Sequence, residues 1–224
     1  MDTIYINGKS LSTLGVDGLL EYTITGTGIS NEVFTGRFRT HFSVLASVPG
    51  TKAVTFTLVF KAQTRNAAVL LKSAVDAEFV GQVELKMPDD LYYTCYSSAI
   101  GEIMLKGSDS GWIGTAVYKC TGFCHDQLVT ETGTSINCTS TMPRTDCKLE
   151  YTVPAAVNVY TLGTVAFTNL SAGDVLTADG IEGRFLVNNA PAVNRVIFTE
   201  FPYLVPGENT FPDAVTVTYY PTYI

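Results

Sequence analysis

The sequence has little charge and few of the residues that usually carry catalysis or metal binding. Only 16% of its 224 residues are charged, it contains two histidines and one tryptophan, and its formal net charge is −7. Because proteins bind nucleic acid mainly by neutralising phosphates, this charge argues against a basic nucleic-acid-binding face. Hydrophobic residues make up 46% of the chain, enough to bury the core of one large β domain or two small ones.

The sequence also predicts no targeting signal and no membrane-spanning helix. The opening residues MDTIYINGKS lack the basic segment and apolar run of a signal peptide. No stretch approaches the roughly 18 apolar residues that a membrane helix needs. Five cysteines are an odd number in a chain too large to need a disulfide framework. We therefore expect reduced thiols and folding in a cytoplasm, where the sequons at Asn137 and Asn169 are chance matches.

Most of the chain alternates apolar and polar residues, which predicts half-buried β-strands. Asn7-Gly8 favours a tight hairpin turn, since both residues tolerate positive φ. The clearest strands are AVTFTLVF and AVTVTYY, whose apolar faces are formed by Val54, Phe56, Leu58 and Phe60, and by Val215, Val217 and Tyr219.

One segment, RNAAVLLKSAVDAEF, has a helical period instead. It places Ala67, Leu71, Ala74, Val75 and Glu78 on one face. This spacing predicts a single short helix over residues 66–79 that packs on the sheets. Its first residue, Asn66, is the predicted N-cap, because an Asn side chain can accept an unpaired backbone N–H.

A change in composition marks the predicted domain boundary. Residues 127–148 are rich in Thr and Ser and poor in large apolar side chains, which indicates a linker. We place a first domain at 1–130 and a second at 131–224, with the linker at about 127–148. Short strands with Gly, Asn and Pro turns in the second half favour a β-sandwich.

No group of residues forms a recognisable catalytic centre. GSDSG at 107–111 is not a nucleophile elbow, because Asp109 stands at its centre, and a polar turn is the better interpretation. The only histidines are His41 and His125. The acidic pairs, which are Asp89 with Asp90 and Asp174 with Asp179, lie in turn contexts. We predict that the protein is not an enzyme and has no catalytic residues.

Two further motifs are weak as metal or phosphate sites. CTGFCH contains Cys120, Cys124 and His125, but the later Cys138 and Cys147 are nine residues apart, which is not a usual zinc spacing. Buried free cysteines explain them better. TGTGISN lacks a third glycine in register and a following helix. We predict no metal and no cofactor.

The last fifty residues carry the most specific motifs. The pattern consists of Asp179-Gly180, Asn188-Asn189, Glu200-Phe201-Pro202, Leu204, Pro206-Gly207-Glu208-Asn209-Thr210, Tyr220-Pro221 and Ile224. It resembles the end of the distal tail (Dit) proteins of siphophages, which form the hub of the tail tip. Tyr203 and Phe211-Pro212 depart from the family pattern. The N-terminal half is similar by layout, through Asn7-Gly8, the single helix, DDLYYTCY and AVYKCTGFCHD.

This resemblance implies a mainly β protein with two domains. The first would be a tail-tube-like β-sandwich or split barrel with one helix, and the second a galectin-like β-sandwich. Six copies would form a ring that connects the tail tube to baseplate or receptor-binding proteins, as a single ring or as stacked rings. DNA would pass through the channel without specific binding. The expected location is the virion tail tip, after assembly in the host cytoplasm, with no membrane contact.

The sequence leaves two questions undecided: which residues dock other proteins, and which of several functions the protein has. Arg184, Asn188, Asn189 and Asn194 are the predicted docking surface for baseplate or receptor-binding proteins, although Asn side chains equally often satisfy turn backbone. The alternatives to a hub are a carbohydrate-binding module in host adhesion and another tail-tube ring protein.

The two prolines of EFPYLVPGENTF predict a rigid corner before the last strand. Pro206-Gly207 predicts a type II turn. Glu208 and Asn209 are expected to cap backbone groups beside it.

Overall fold

The protein is described here from a computed structural model, which covers residues 4–34 and 43–224. The chain divides into two compact units: the first runs to His125 and also includes the last residue, Ile224, and the second spans Asp126–Tyr223. The described residues contain many antiparallel strands and one α-helix, so the predicted mainly β fold class with a single helix is confirmed. The tail-tube-like and galectin-like labels given to the predicted domains stay predictions.

The first unit is built from one large antiparallel sheet, a separate hairpin and the helix. The sheet has the order β2-β1-β7-β8-β10-β6-β3, and β9 also pairs with β10. The hairpin consists of β4 and β5 alone. The elements are β1 (Tyr5–Ile6), β2 (Lys9–Ser10), β3 (Gly18–Ile24), β4 (Ile29–Phe34), β5 (Ser43–Pro49), β6 (Lys52–Ala62), α1 (Arg65–Ala77), β7 (Gln82–Lys86), β8 (Tyr92–Ile100), β9 (Met104–Ser108) and β10 (Gly111–His125).

The strand predictions for this unit are confirmed. All four apolar residues predicted for one face of AVTFTLVF are fully buried on β6. Asn7 and Gly8 have φ of 51° and 74° and join β1 to β2, as a tight hairpin turn requires. The alternation of apolar residues therefore predicted correctly which face of β6 packs into the core.

The helix begins at a different residue from the one predicted. Its N-cap is Thr64, whose hydroxyl accepts a hydrogen bond from the Ala67 backbone N–H at 3.2 Å, and not Asn66. The buried helical residues are Ala68 and Val75, while Ala67 is exposed. The predicted N-cap was wrong by two residues, because alanines on neighbouring positions define the apolar face poorly.

An aromatic cluster joins the helix to the sheet. The Tyr118 ring on β10 stacks between Phe56 of β6 and Phe79, which follows the helix, at centroid distances of 5.5 and 4.8 Å. The Tyr118 hydroxyl donates to an Asp76 carboxylate oxygen at 2.8 Å, and Lys72 pairs with the other oxygen at 2.6 Å. The buried phenol thus has a hydrogen-bond partner, as its burial requires.

The second unit contains two facing sheets. One has the order β11-β20-β12-β15-β16-β17, with β19 also pairing with β12, and the other has the order β13-β14-β18. Its strands are β11 (Val129–Cys138), β12 (Thr145–Thr152), β13 (Val157–Leu162), β14 (Val165–Leu170), β15 (Val175–Asp179), β16 (Arg184–Val187), β17 (Ala190–Pro191), β18 (Val196–Phe198), β19 (Tyr203–Leu204), β20 (Gly207–Tyr219) and β21 (Thr222–Tyr223), with a short 3-10 helix at Val193–Arg195.

A single hydrophobic core fills the space between these sheets. Leu149 and Val217 of the larger sheet share it with Val165 and Phe167 of the smaller one. The predicted inward face of AVTVTYY is confirmed, since Val215, Val217 and Tyr219 are all buried. The second unit is therefore a β-sandwich.

The predicted linker at 127–148 is wrong. Most of this segment belongs to β11 and the start of β12, in the larger sheet of the sandwich. Threonine hydroxyls pair across the strands, with 3.1 Å between Thr130 and Thr218 and 2.9 Å between Thr132 and Thr216. Because threonine is β-branched, it favours strands even where few large apolar residues are present.

Candidate functional site

The C-terminal signature begins with a corner at Pro206-Gly207. Gly207 has φ of +88°, the positive value that a type II turn needs at this position. The Asn209 amide closes the corner: its oxygen accepts from the Val205 N–H at 2.9 Å, and its nitrogen donates to the Val205 and Gly207 carbonyls. The predicted capping is confirmed for Asn209. Glu208 instead accepts from the Ser135 hydroxyl at 2.6 Å.

Asp179-Gly180 and Glu200-Phe201-Pro202 meet in space. Gly180 lies so close to Pro202 that a Cβ on it would be 2.4 Å from the Pro202 carbonyl oxygen. The Cys147 backbone links both segments, since its N–H donates to the Pro202 carbonyl at 3.2 Å and its carbonyl accepts from the Gly180 N–H at 2.9 Å. This close approach explains why glycine occupies position 180.

The Asp179 carboxylate organises the turn after Gly180. One oxygen accepts from the backbone N–H groups of Ile181 and Glu182 at 3.1 and 3.0 Å. The other accepts from Arg184 Nε at 3.3 Å. Because this buried carboxylate is fully engaged with its own turn, its role is structural.

Of the residues that depart from the family pattern, Phe211 and Pro212 fall in a bulge of β20, whereas Tyr203 belongs to β19. Strand pairing with β11 stops at Thr210 and resumes at Val215. Within the bulge, Asp213 accepts hydrogen bonds from the hydroxyls of Tyr151 at 3.2 Å and Tyr160 at 3.0 Å. The two tyrosine rings stack at 4.3 Å, and burial raises the pKa of Tyr160 above its ordinary value.

The four predicted docking residues are only partly brought together. Arg184 and Asn189 line one groove of about 430 Å³, together with Phe185, Pro191 and Val193.

The other two docking residues lie outside its lining. Asn188 is used within its turn, where its oxygen accepts from the Val175 N–H and its nitrogen donates to Asp174, both at 2.8 Å. Asn194 is exposed on the 3-10 helix directly after Val193. Docking through these residues stays a prediction.

Sequence reasoning missed the aromatic surface close to this groove. Phe185, which lines the groove, stacks on Phe201 at 5.2 Å and packs against Phe198 at 4.6 Å. Phe198 and Phe201 are 42% and 37% exposed, and Ile197 beside them is 68% exposed. Alternation alone cannot distinguish such rings from core residues, because an edge strand has the same period as a central one.

The hairpin of β4 and β5, in the first unit, also exposes apolar side chains. Every residue of β4 is exposed, and the two strands pair only with each other among the described strands. We call its six large exposed side chains the hairpin surface: Ile29, Val33, Phe34, Val44, Leu45 and Val48.

A groove of about 630 Å³ lies at the edge strand β3 of the same unit. The register of β3 against β6 shifts between Leu19 and Glu21, and Leu20 at this bulge is 63% exposed. We call this the edge groove, after its apolar lining residues Leu11, Val16, Leu19, Leu20, Tyr22 and Val59.

The motifs weighed as catalytic have structural explanations where the structure describes them. Ser108 bonds to Ser110 and to the Gly111 carbonyl in the turn between β9 and β10. His125 contacts the Thr94 hydroxyl at 2.8 Å, whereas His41 lies outside the described residues.

All five cysteines are buried. Burial raises the pKa of Cys147. Within residues 4–34 and 43–224, no three His, Cys, Asp or Glu side chains lie close enough together to hold a metal ion. The same residues include no helix long and apolar enough to span a membrane.

Two antiparallel β units define the fold class of the chain. Within that class, the chain has the fold of the SPP1 Dit protein, described as a paradigm of the hub adsorption apparatus in phages that infect Gram-positive bacteria. The match has a TM-score of 0.71 and 8% identity and covers 98% of both chains. Chains of the phage p2 baseplate in its activated conformation match with TM-scores of 0.54 with Ca and 0.55 with Sr, at 6% and 7% identity and 98% coverage of both chains.

No family model matches the chain, and no curated protein matches it in sequence. At such low identities the likeness is one of fold. The resemblance to distal tail proteins that the sequence indicated is therefore confirmed at the level of the fold.

Proposed function

We propose that this protein is a structural hub of a phage tail tip. The observation that carries the proposal is the fold match over 98% of both chains, which includes both units and not one alone. The signature corner supports it, because Gly180, Pro202 and Gly207 all hold backbone positions that build the sandwich. The protein acts by assembly and not by catalysis.

The assembled form is a homohexameric ring with a channel for DNA, as a single ring or as stacked rings. Ring formation is supported by the first unit: among the described strands, the hairpin of β4 and β5 pairs with no other strand, and the outer edge of β3 is unpaired. The net charge of −7 suits a conduit, since an acidic wall repels the phosphate backbone. Retention of DNA by the isolated ring at physiological salt would contradict this role of the charge.

The second unit docks other tail-tip proteins, namely baseplate or receptor-binding proteins, while the tail tube is the other neighbour of the ring. The groove with Arg184 and Asn189, and the exposed Phe198 and Phe201 close to it, support a protein-binding surface. Assembly takes place in the host cytoplasm, and the final location is the virion tail tip.

The first test is the mass of the purified full chain by light scattering and native mass spectrometry, with electron microscopy of the particles. A hexamer or dodecamer with a central opening is expected. A chain that stays monomeric at high concentration refutes the ring. A monomer that binds a glycan array would instead support the carbohydrate-binding alternative.

Docking by the second unit needs a separate test. Val193→Asp and Ile197→Asp place charges on side chains that are 66% and 68% exposed. We expect the ring to persist while incorporation into tail tips is lost in a phage complementation assay. Leu128→Asp is the matched control, because the exposed Leu128 directly precedes β11, at the opposite edge of the larger sheet from β16 and β17. Normal incorporation of both groove variants would refute docking at this surface.

A further inference from the structure

A groove of about 360 Å³ lies on the first-unit sheet where β1, β7 and β8 are neighbours. We call it the tyrosine groove, after its lining residues Tyr5, Gly8, Glu84, Lys86 and Tyr92. The strand register places Tyr5 opposite Lys86 and Lys86 opposite Tyr92, so these side chains stand on one face, while Leu85 is buried on the other. Because adjacent strands lie ~4.8 Å apart, the two tyrosines flank Lys86 with roughly 10 Å between their backbones.

The side chains of the tyrosine groove leave polar groups available to a ligand. The exposed Glu84 carboxylate forms no hydrogen bond or ion pair within residues 4–34 and 43–224. Tyr5 is 39% exposed, and its hydroxyl has no hydrogen-bond partner among the same residues. Lys86 Nζ pairs with Asp90 at 2.9 Å and lies 5.6 Å from the centre of the Tyr92 ring. Since an ammonium has three N–H donors, the groove offers a free acceptor, an aromatic ring and a positioned donor.

The charges of the tyrosine groove disfavour a charged ligand. Lys86 repels a cation, and the Tyr92 ring that could attract one already contacts Lys86 and stacks on His125 at 5.8 Å. The free Glu84 carboxylate repels an anion, while Asp90 balances the charge of Lys86. A neutral molecule with several hydroxyl groups avoids both penalties, because its hydroxyls donate to Glu84 and accept from Lys86.

We propose that the tyrosine groove binds one pyranose unit of a neutral saccharide. A pyranose has a face of C–H groups, which packs on the Tyr5 ring, and hydroxyl groups at its edge, which reach Glu84 and Lys86. The groove of about 360 Å³ is at the small end of ligand pockets, which span roughly 300–1,000 Å³, as a single sugar unit requires. The affinity should be in the millimolar range, because few contacts are available. Sugar binding here adds to the hub role, which uses protein contacts, and neither claim depends on the other.

Saturation-transfer NMR on the full chain measures this binding directly. The probes are the methyl glycosides of glucose, galactose, N-acetylglucosamine and rhamnose, with acetate and tetramethylammonium as charged probes. We expect at least one glycoside to bind and both ions not to bind. Glu84→Gln should weaken the binding about tenfold, because a hydrogen bond to a charged acceptor is lost. Tyr5→Ala should abolish it, whereas Tyr5→Phe keeps the ring and should keep most of the affinity. Dextran as a further probe distinguishes a unit inside a polysaccharide from a terminal or free sugar.

Tyr22→Ala is the matched control. Tyr22 is 38% exposed, nearly as much as Tyr5, and belongs to β3 at the far end of the same sheet. This variant should bind as the natural chain does, and circular dichroism checks that every variant is folded. The proposal is overturned if no glycoside binds, or if Glu84→Gln and Tyr5→Ala bind as tightly as Tyr22→Ala. Tighter binding of acetate or tetramethylammonium than of every glycoside also overturns it.

The mass of the chain separates this proposal from the hub. A hexamer that binds no glycoside leaves the hub intact and overturns the sugar site. A monomer that binds a glycoside through the tyrosine groove overturns the ring and leaves the sugar site intact.

Tyrosine-specific NMR provides a second, independent measurement. In a chain labelled with fluorotyrosine, the signals of Tyr5 and Tyr92 are assigned from Tyr5→Phe and Tyr92→Phe. Both should shift as the glycoside is added, because the sugar lies between the two rings, while the signal of Tyr22 stays in place. If the signals of Tyr5 and Tyr92 do not move at a glycoside concentration that saturates the chain, the sugar binds elsewhere and the proposal is overturned.

Discussion

Replacing Gly180 with alanine tests whether the C-terminal signature is a packing motif. The new Cβ would lie 2.4 Å from the Pro202 carbonyl oxygen and 3.1 Å from that of Cys147. Both atoms belong to the backbone, so neither can rotate away as a side chain could. The strand and the Pro202 corner must move apart, which strains the 3.2 Å bond from the Cys147 N–H to Pro202.

The expected cost follows from these two effects. Overpacking with a backbone shift costs about 1–3 kcal/mol. Weakening one buried hydrogen bond adds about 1 kcal/mol. A loss of this size is large for a single sandwich unit, whose total stability is on the order of 5–15 kcal/mol.

The assay must report on the second unit alone. Trp112, the only tryptophan, belongs to the first unit, so its fluorescence should stay unchanged. In Gly180→Ala, the backbone amides of peptides from β12 and β15 should exchange faster than in the natural chain. Exchange is measured at increasing concentrations of urea. Gly133→Ala is the matched control in the same unit, because its nearest neighbour would be at an ordinary 3.4 Å. Equal protection in Gly180→Ala and Gly133→Ala would refute the close-approach argument.

Three further changes have defined outcomes. Gly122→Ala should destabilise the first unit by about 1–3 kcal/mol or prevent its folding, since the Cβ would lie 2.1 Å from the Thr94 carbonyl oxygen; urea unfolding followed by Trp fluorescence measures it. Asn209→Ala should cost about 1–2 kcal/mol in the second unit by removing the cap of the corner, measured by its exchange protection. The Ser171 N–H bond, followed by that from Asn188, lowers the pKa of Asp174, so its contribution is present at neutral pH and disappears as pH falls below the ordinary value of 3.8. Asp174→Asn should lose this part of the acid dependence, and identical acid unfolding curves would contradict it.

Local periodicity predicted much of the fold because it depends on neighbouring residues. The buried face of β6 and the turn at Asn7-Gly8 follow from alternation and from the freedom of these residues at positive φ. The linker prediction for the threonine-rich segment was wrong because it rested on composition and not on β-propensity. Thr130 and Thr132 pair with threonines more than eighty residues away, which no local window contains.

The candidate surfaces were harder to predict for a physical reason. Leu45 is exposed and Leu58 is buried, although both belong to alternating segments. Their burial differs because their strands have different numbers of neighbouring strands. For Asn188 and Asn189 the sequence leaves two roles open, docking and the satisfaction of turn backbone. The structure assigns Asn188 to its turn and leaves Asn189 on the groove, a difference set by contacts with Val175 and Asp174.

The residues of the C-terminal signature control the path of the backbone. Strand interiors accept many apolar side chains if volume and alternation are kept, so their sequence can change widely within one fold. Gly180 and Gly207 have no such freedom, since one faces a carbonyl at short range and the other needs positive φ. Asn209 must satisfy the groups that the corner between Val205 and Gly207 leaves unpaired. The signature therefore consists of positions at which the backbone geometry permits few residues.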